Sequence, residues 1–157
     1  MKYIKFLLIG IFFILSNCFI FKKQGEKELK FETFKKGFYS GIRKKGEFVI
    51  KNREDFLKLW KNLSANLLPP PEPPEIDFEK YMLIAVFMGN KPTGGFNIEI
   101  EKIIEKNNEI SVYVKEESPG KNCIVTMAFT QPYHIVKLER KDRKIKFYYR
   151  DTIRECD

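Results

Sequence analysis

The chain lacks most of the residues on which common enzymes and metal sites depend. Its 157 residues include one histidine, His134, and three cysteines. A structural zinc site usually takes four nitrogen or sulfur ligands, so the sequence predicts no metal site. It also contains no nucleophile elbow, zinc-protease, phosphate-loop or dinucleotide-binding motif. We therefore expect no catalytic residues and no cofactor. The enzymatic alternative is a Cys–His pair made by His134 with Cys123 or Cys156.

Positive charge is abundant but not clustered. The 29 lysines and arginines exceed the 21 acidic residues, which gives a net charge of +8. Basic and acidic residues alternate along much of the chain, whereas a nucleic-acid site usually forms a basic stripe. The densest basic segment, residues 140–144, is typical of a solvated hairpin tip. We therefore expect no nucleic-acid partner.

The first 18 residues are typical of an exported lipoprotein. Two lysines precede the apolar run of residues 6–15, and residues 15–18 (Leu-Ser-Asn-Cys) resemble a bacterial lipobox. The apolar run is too short to cross a bilayer core of about 30 Å without strain. We predict a signal peptide over residues 1–17, lipidation at Cys18 and a membrane-anchored location in the cell envelope. An uncleaved N-terminal anchor is the alternative.

A polar tether is predicted between the anchor and the folded domain. The lipidated N-terminus and tether are assigned to residues 18–33, of which residues 22–33 are mostly polar and charged, as in a linker. We expect ordered structure to begin near Phe34. Residues 34–157 then form one domain, since their number lies within the ordinary range for a single domain.

One helix interrupts a series of strand patterns. The helix is predicted to follow Asn52, a favourable N-cap, from apolar residues at helical spacing: Phe56, Leu59, Trp60 and Leu63. The proline-rich residues 69–74 must end it, and they predict a stiff surface connector rather than a partner's polyproline ligand.

Strands are predicted from apolar runs and from alternation of apolar and polar residues. They cover residues 37–42, 47–51, 82–88, 96–101, 109–115, 124–129, 134–138 and 144–149. The continuous apolar run at 82–88 is typical of a central strand covered on both faces. We predict a mainly β fold, a mostly antiparallel β-sandwich or barrel with one inserted amphipathic helix.

Two loops rich in proline and glycine are candidates for partner binding. Proline stiffens a loop and glycine permits close backbone approach, so such loops hold their shape when unbound. We predict that both loops meet at one rim of the fold and bind through Asn90, Lys91, Pro92, Thr93, Gly94, Gly95, Phe96, Gln131, Pro132 and Tyr133. In the alternative, Phe96 and Tyr133 are core residues and the glycines merely close turns. The lone His134 is expected to be structural.

The two cysteines beyond Cys18 form an even pair. Because an exported chain meets oxidising conditions, Cys123 and Cys156 are candidates for a disulfide that ties the C-terminal tail to the domain. Two free thiols are the alternative.

Several segments in one order resemble the C-terminal domain of PrcB, a family of lipoproteins associated with protease complexes. They are residues 37–42, 56–60, 76–78, 89–96 and 130–134, and the Pro-Thr-Gly-Gly-aromatic loop is the most specific of them. The resemblance covers about residues 34–150. It implies a non-catalytic accessory subunit that binds an exported protein, with a protease as the first candidate.

A second resemblance concerns the two loops alone. Residues 91–96 are similar to the Asn-Pro-Thr-Thr-Gly-aromatic loop of chagasin-type inhibitors of papain-like cysteine proteases, which are immunoglobulin-like sandwiches. Residues 131–133 stand in the order of those inhibitors' later Arg-Pro-aromatic loop, while Lys91, Gly94 and Gln131 differ from the pattern. This resemblance implies the alternative function, a protease inhibitor acting through residues 92–96 and 132–133.

Overall fold

The computed structural model describes residues 25–156 of the chain. In this part the chain forms eight strands and one helix. In chain order they are β1 (Lys27–Glu28), β2 (Phe31–Gly37), β3 (Lys45–Ile50), α1 (Arg53–Leu63), β4 (Tyr81–Met88), β5 (Asn97–Lys106), β6 (Glu109–Pro119), β7 (Tyr133–Glu139) and β8 (Lys144–Arg154).

The strands form two sheets that pack face to face. One sheet has the order β1-β5-β6-β8 and the other the order β2-β7-β4-β3. Neighbouring strands are antiparallel except β6 and β8, which are parallel. One buried cluster takes residues from both sheets and fills the space between them. The predicted mainly β fold with a single helix is therefore confirmed, as a sandwich.

Strand β4 is buried on both of its faces. Met82, Ile84 and Val86 belong to the cluster between the sheets. Leu83 and Phe87 belong to a second cluster, which includes the apolar residues of α1. Because successive side chains of a strand point to opposite faces, a strand between two apolar layers must be apolar throughout. The run at 82–88 meets that requirement, as predicted.

Helix α1 forms a third layer on the outer face of the β2-β7-β4-β3 sheet. It begins after Asn52, whose side-chain oxygen accepts a hydrogen bond of 2.8 Å from the backbone N–H of Asp55. This contact satisfies one of the N–H groups that lack a partner within the helix. The four apolar residues predicted from the helical spacing are those the helix buries, Phe56, Leu59, Trp60 and Leu63.

The proline-rich connector lies across α1. The indole N–H of Trp60 donates a 2.8 Å hydrogen bond to the carbonyl oxygen of Pro71. The guanidinium of Arg53 donates one of the same length to the carbonyl oxygen of Pro74. The prediction of a connector on the surface is confirmed.

Two of the predicted strands are wrong. Strand β2 ends at Gly37, so residues 38–42 form a loop rather than a strand, and residues 124–129 are irregular. Residues 124–129 cross from β6 in one sheet to β7 in the other, and in crossing they pair with neither. An apolar run usually indicates a strand because a strand in a sheet buries its apolar residues. The apolar residues of this segment are not buried in that way. Ile124 is fully exposed.

The fold begins before the predicted boundary at Phe34. Strand β1 pairs with β5, and β2 begins at Phe31. Between these strands Leu29 is buried in the core, and its backbone N–H donates a 2.8 Å hydrogen bond to Ile103. Core contact of this residue explains why the tether ends sooner than its charged composition indicated.

The predicted signal peptide and the predicted lipidation site at Cys18 lie outside the described residues. Within residues 25–156, no helix has both the length and the apolar composition needed to cross a membrane.

Candidate partner-binding surface

The two predicted loops meet at one end of the sandwich. Lys91 and Thr130 each donate a backbone hydrogen bond to the other's carbonyl oxygen, at 2.8 and 3.0 Å. The side-chain amide of Gln131 donates to Asn90 Oδ1 at 2.9 Å. These contacts join residues that are about 40 positions apart, so the loops form one surface, as their order in the sequence predicted.

The glycines of the first loop are required by a third segment. Gly94 donates its N–H to the carbonyl oxygen of Thr126 at 2.9 Å. A Cβ at Gly94 would lie 2.3 Å from Thr126 Oγ1, and Gly95 has a φ of +88° beside Pro119 and Val125. A side chain at either position would push the segment away or strain the backbone. Gly94 and Gly95 therefore hold the loops together.

A disulfide joins this third segment to the end of the chain. Cys123 is bonded to Cys156, which decides between the two alternatives for this pair. Next to it, the backbone N–H of Gly120 donates to the carbonyl oxygen of Arg154 at 2.9 Å. The segment is thus fixed at residue 123, at Thr126 and at Thr130.

Three of the predicted binding residues point inward. Pro132 and Tyr133 are buried, and the Tyr133 ring stacks on Phe87 with centroids 5.8 Å apart. Burial raises the pKa of Tyr133. Phe96 is partly buried against the core between the sheets. As core residues they match the stated alternative, because β7 begins at Tyr133 and directs that side chain towards the helix layer.

The exposed apolar residues of this end come from the segments that were mistaken for strands. Met127 and Phe129 are 88% and 70% exposed, and Ile124 is fully exposed. Phe38 and Tyr39 are also more than half exposed. The signal for them was present in the sequence, as apolar runs, but it predicted strands. We call the surface formed by residues 38–39, 90–95 and 124–131 the loop rim.

A groove runs through the loop rim. It has a volume of about 480 Å³ and lies between Phe38 and Tyr39 on one side and Gly94 and Thr126 on the other. Gln131 fixes the first wall by donating its backbone N–H to the carbonyl oxygen of Phe38 at 2.8 Å. The rim therefore combines ordered backbone with exposed apolar side chains, which is the composition of an interface core.

The chain enters the domain at the opposite end. Lys27 in β1 pairs with Glu105 near the end of β5, whereas β5 begins at Asn97, beside the loop rim. At roughly 3.3 Å per residue, these two positions on β5 are about 26 Å apart. The loop rim thus faces away from the point where residues 1–24 join the fold.

His134 joins the two sheets. Its Nδ1 accepts a 2.9 Å hydrogen bond from the backbone N–H of Ile100 in β5, and its Nε2 lies 2.9 Å from Thr33 Oγ1 in β2. The neutral ring therefore carries its proton on Nε2 and donates it to Thr33. Burial, reinforced by the positive charge of Lys36, lowers the pKa of His134 to about 4. The expected structural role is confirmed.

The residues of the enzymatic alternative are committed elsewhere. Both Cys123 and Cys156 are in the disulfide, and both ring nitrogens of His134 have partners. Within residues 25–156, no group of three or more His, Cys, Asp or Glu side chains is arranged to bind a metal ion.

The described residues form a β-sandwich domain, and comparison with known families finds a likeness for part of it. Residues 82–139 match the family model described as PrcB C-terminal, which confirms the resemblance. The matched segment runs from β4 to β7 and includes both predicted loops. This family has an accessory role associated with protease complexes and is not a known catalytic family. No curated protein and no solved structure gives a significant match.

Proposed function

We propose that the chain is an exported, lipid-anchored accessory subunit that binds a protein of a protease complex through its loop rim. The observation that carries this proposal is the set of exposed apolar side chains on loops that are fixed by backbone bonds and a disulfide. Large exposed apolar patches on soluble domains mark interaction sites, because they are costly to leave in water.

The order of the loops supports binding. Residues 91, 94 and 130 form backbone hydrogen bonds to neighbouring segments, and residue 123 is in the disulfide. A partner therefore does not need to order these loops, and the free energy lost to ordering on association is small. Met127 and Phe129, which project from this frame, are the residues we expect to anchor the partner.

The orientation of the domain favours a protein partner over a lipid surface. If Cys18 is lipidated, the membrane lies beyond Lys27, at the end opposite the loop rim. The apolar side chains then point away from the bilayer. A protein partner held beyond the membrane is the occupant that reaches them.

The inhibitor alternative has less support. It requires both loops to project as a wedge into a protease cleft. Pro132 and Tyr133 are instead buried, and Gly94 is covered by Thr126. In the first loop Asn90 and Pro92 are exposed and residues 93–96 are half-buried, which leaves a small contact for a cleft inhibitor.

Anchoring is tested by metabolic labelling with a palmitate analogue. We expect label on the wild-type chain and none on Cys18→Ala. Equal labelling of both forms, or no labelling of wild type in a host that lipidates other exported proteins, would contradict the anchor.

Partner binding is tested in the native envelope with the full chain. An affinity tag inserted at the turn of Asn107 and Asn108, far from the loop rim, allows capture after chemical crosslinking. We expect recovery of an exported protease that keeps its activity while bound. Recovery of no exported protein would overturn the accessory role, and competitive loss of protease activity would establish the inhibitor instead.

A further inference from the structure

The backbone of β4 fixes which groups of the neighbouring strand β3 are left free. The N–H of Met88 donates to the carbonyl oxygen of Pro132, and the N–H of Arg140 donates to Lys80. Residues 80 and 88 thus direct their backbone groups towards the β7 side. Because this direction alternates along a strand, the odd-numbered residues of β4 bond to β3.

Strand β3 is the last strand of its sheet and has a free edge. The odd-numbered residues of β4 pair with Gly46, Phe48 and Ile50. The backbone N–H and C=O groups of Lys45, Glu47 and Val49 therefore point away from β4. Among residues 25–156 these outward groups have no hydrogen-bond partner. Such an edge is the template on which an extended peptide adds as a further strand.

A groove lies beside this edge, between β3 and α1. It has a volume of about 470 Å³, and its apolar walls are formed by Ile42, Phe48 and Leu59. Phe48 remains partly exposed there although its ring contacts Phe87 edge-on. An added strand directs every second side chain to this face of the sheet, so the groove can accept apolar side chains at alternate positions.

The charge at the start of the groove is positive. Arg43 and Lys44 are exposed, and neither has a carboxylate partner in the described part of the chain. Lys58, at the helix wall, is already paired with Glu54 and Asp55. A ligand could therefore supply a negative charge that pairs with Arg43 and Lys44.

We propose that β3 binds an extended, acidic segment of a partner protein as an added strand, with alternate apolar side chains in the groove and a carboxylate beside Arg43 and Lys44. The groove of this site shares no residue with the loop rim, although the two adjoin at Arg43, whose carbonyl oxygen accepts a 3.0 Å hydrogen bond from the backbone N–H of Asn90. A second copy of the chain fits poorly, because antiparallel pairing of two β3 strands brings residues 43–45 of one copy towards Lys51 and Arg53 of the other. Cations would then meet cations.

Synthetic peptides test the proposal with the full chain in detergent. The probe alternates valine with threonine and ends in two glutamates; one control ends in two lysines, and another has its strand-facing amides N-methylated. We expect binding of the first, at least tenfold weaker binding of the lysine peptide and none of the methylated one. Equal binding of the methylated peptide, or no binding of the acidic probe at millimolar concentration, would overturn strand addition.

A matched pair of variants tests the edge itself. Glu47→Ala and Glu47→Pro both lose the hydrogen bond from the Tyr149 hydroxyl, but only proline removes the outward N–H. We expect Glu47→Pro to bind the acidic probe at least tenfold more weakly than Glu47→Ala. Equal affinity of the two folded variants would contradict the proposal. If proline prevents folding, the N-methylated peptide decides.

Further variants test the charge and separate this site from the rim. Arg43→Glu with Lys44→Glu should reverse the preference between the acidic and lysine peptides, whereas Lys30→Glu should not; an unchanged preference would refute the charge assignment.

Met127→Asp with Phe129→Asp should leave peptide binding intact, and its loss would refute a separate site. A dimer in sedimentation that Glu47→Pro dissociates would make a second copy the occupant and overturn the partner segment.

Discussion

The two ends of the sandwich differ in what they expose. At the tether end, charged residues form pairs on the surface, such as Lys106 with Glu26 and Arg143 with Glu105. The hairpin of β5 and β6 closes there through Asn107 and Asn108, both at positive φ. At the other end, the loop rim exposes apolar side chains and carries the disulfide.

This difference is the basis on which we propose the loop rim as the binding surface. Charged pairs keep the surface at the tether end hydrated and do not favour association with other molecules. Exposed pairs of this kind add little to stability. The rim has the opposite properties. Its backbone is fixed, but its apolar side chains are exposed to solvent and do not pack against the rest of the domain. The two ends should therefore respond differently to substitution in solution.

Removal of the disulfide should have the largest effect on stability, because the bond restricts the unfolded chain. In Cys123→Ala with Cys156→Ala, the unfolded chain loses a link between residues 33 positions apart. We expect the free energy of unfolding to fall by roughly 3–4 kcal/mol. Urea unfolding of the two proteins measures it. An unchanged midpoint would show that this bond does not stabilise the domain.

Acidification should lower the free energy of unfolding of the whole domain through His134. The pKa of this residue is about 4 in the fold and about 6.5 in the unfolded chain, so the unfolded state binds more protons between these values. The contribution of His134 to stability is therefore nearly constant above about pH 7.5 and falls as the pH drops towards 4. Between pH 7.5 and pH 4.5, titration of this residue should lower the free energy of unfolding by roughly 2–3 kcal/mol.

The variant His134→Gln isolates this contribution from that of the carboxylates. Its glutamine does not titrate, so the decline in urea midpoint over the same pH interval should be shallower than in wild type. Parallel declines of the two proteins would contradict the lowered pKa.

Two ion pairs give the sharpest comparison between the ends. Lys45 and Lys106 have the same side-chain exposure, 51%, but the carboxylate of Glu116 is 9% exposed and that of Glu26 is 59% exposed. Lys45→Met leaves the buried Glu116 without its cation, which should cost roughly 1–3 kcal/mol. Lys106→Met should leave the unfolding midpoint unchanged. Equal effects of both substitutions would show that burial of Glu116 is not what matters.

The local elements could be predicted from the sequence. Helix α1 has its N-cap at Asn52 and its apolar stripe within one short segment, and β4 is apolar throughout. The meeting of the two loops was also predicted, because their order along the chain places them at neighbouring strand ends.

The properties that depend on the tertiary fold could not be predicted. Residues 38–42 and 124–129 have the composition of strands, but they connect strands of the fold and belong to neither sheet. Whether Tyr133 packs against the helix layer or between the sheets depends on the residue at which β7 begins, because a shift by one position exchanges the two faces of the strand. Met127 and Phe129, which we propose as anchors for the partner, lay within a segment that the sequence predicted as a strand.

The central claim, that the loop rim binds the partner, is tested most directly by capture from the native envelope. Met127→Asp with Phe129→Asp is compared with Leu68→Asp, which changes an equally exposed apolar residue outside the rim. We expect the rim variant to capture at least about thirtyfold less partner, as for loss of interface anchors, and the Leu68 variant to match wild type. All three proteins should unfold at the same temperature. Undiminished capture by the folded rim variant would contradict the account.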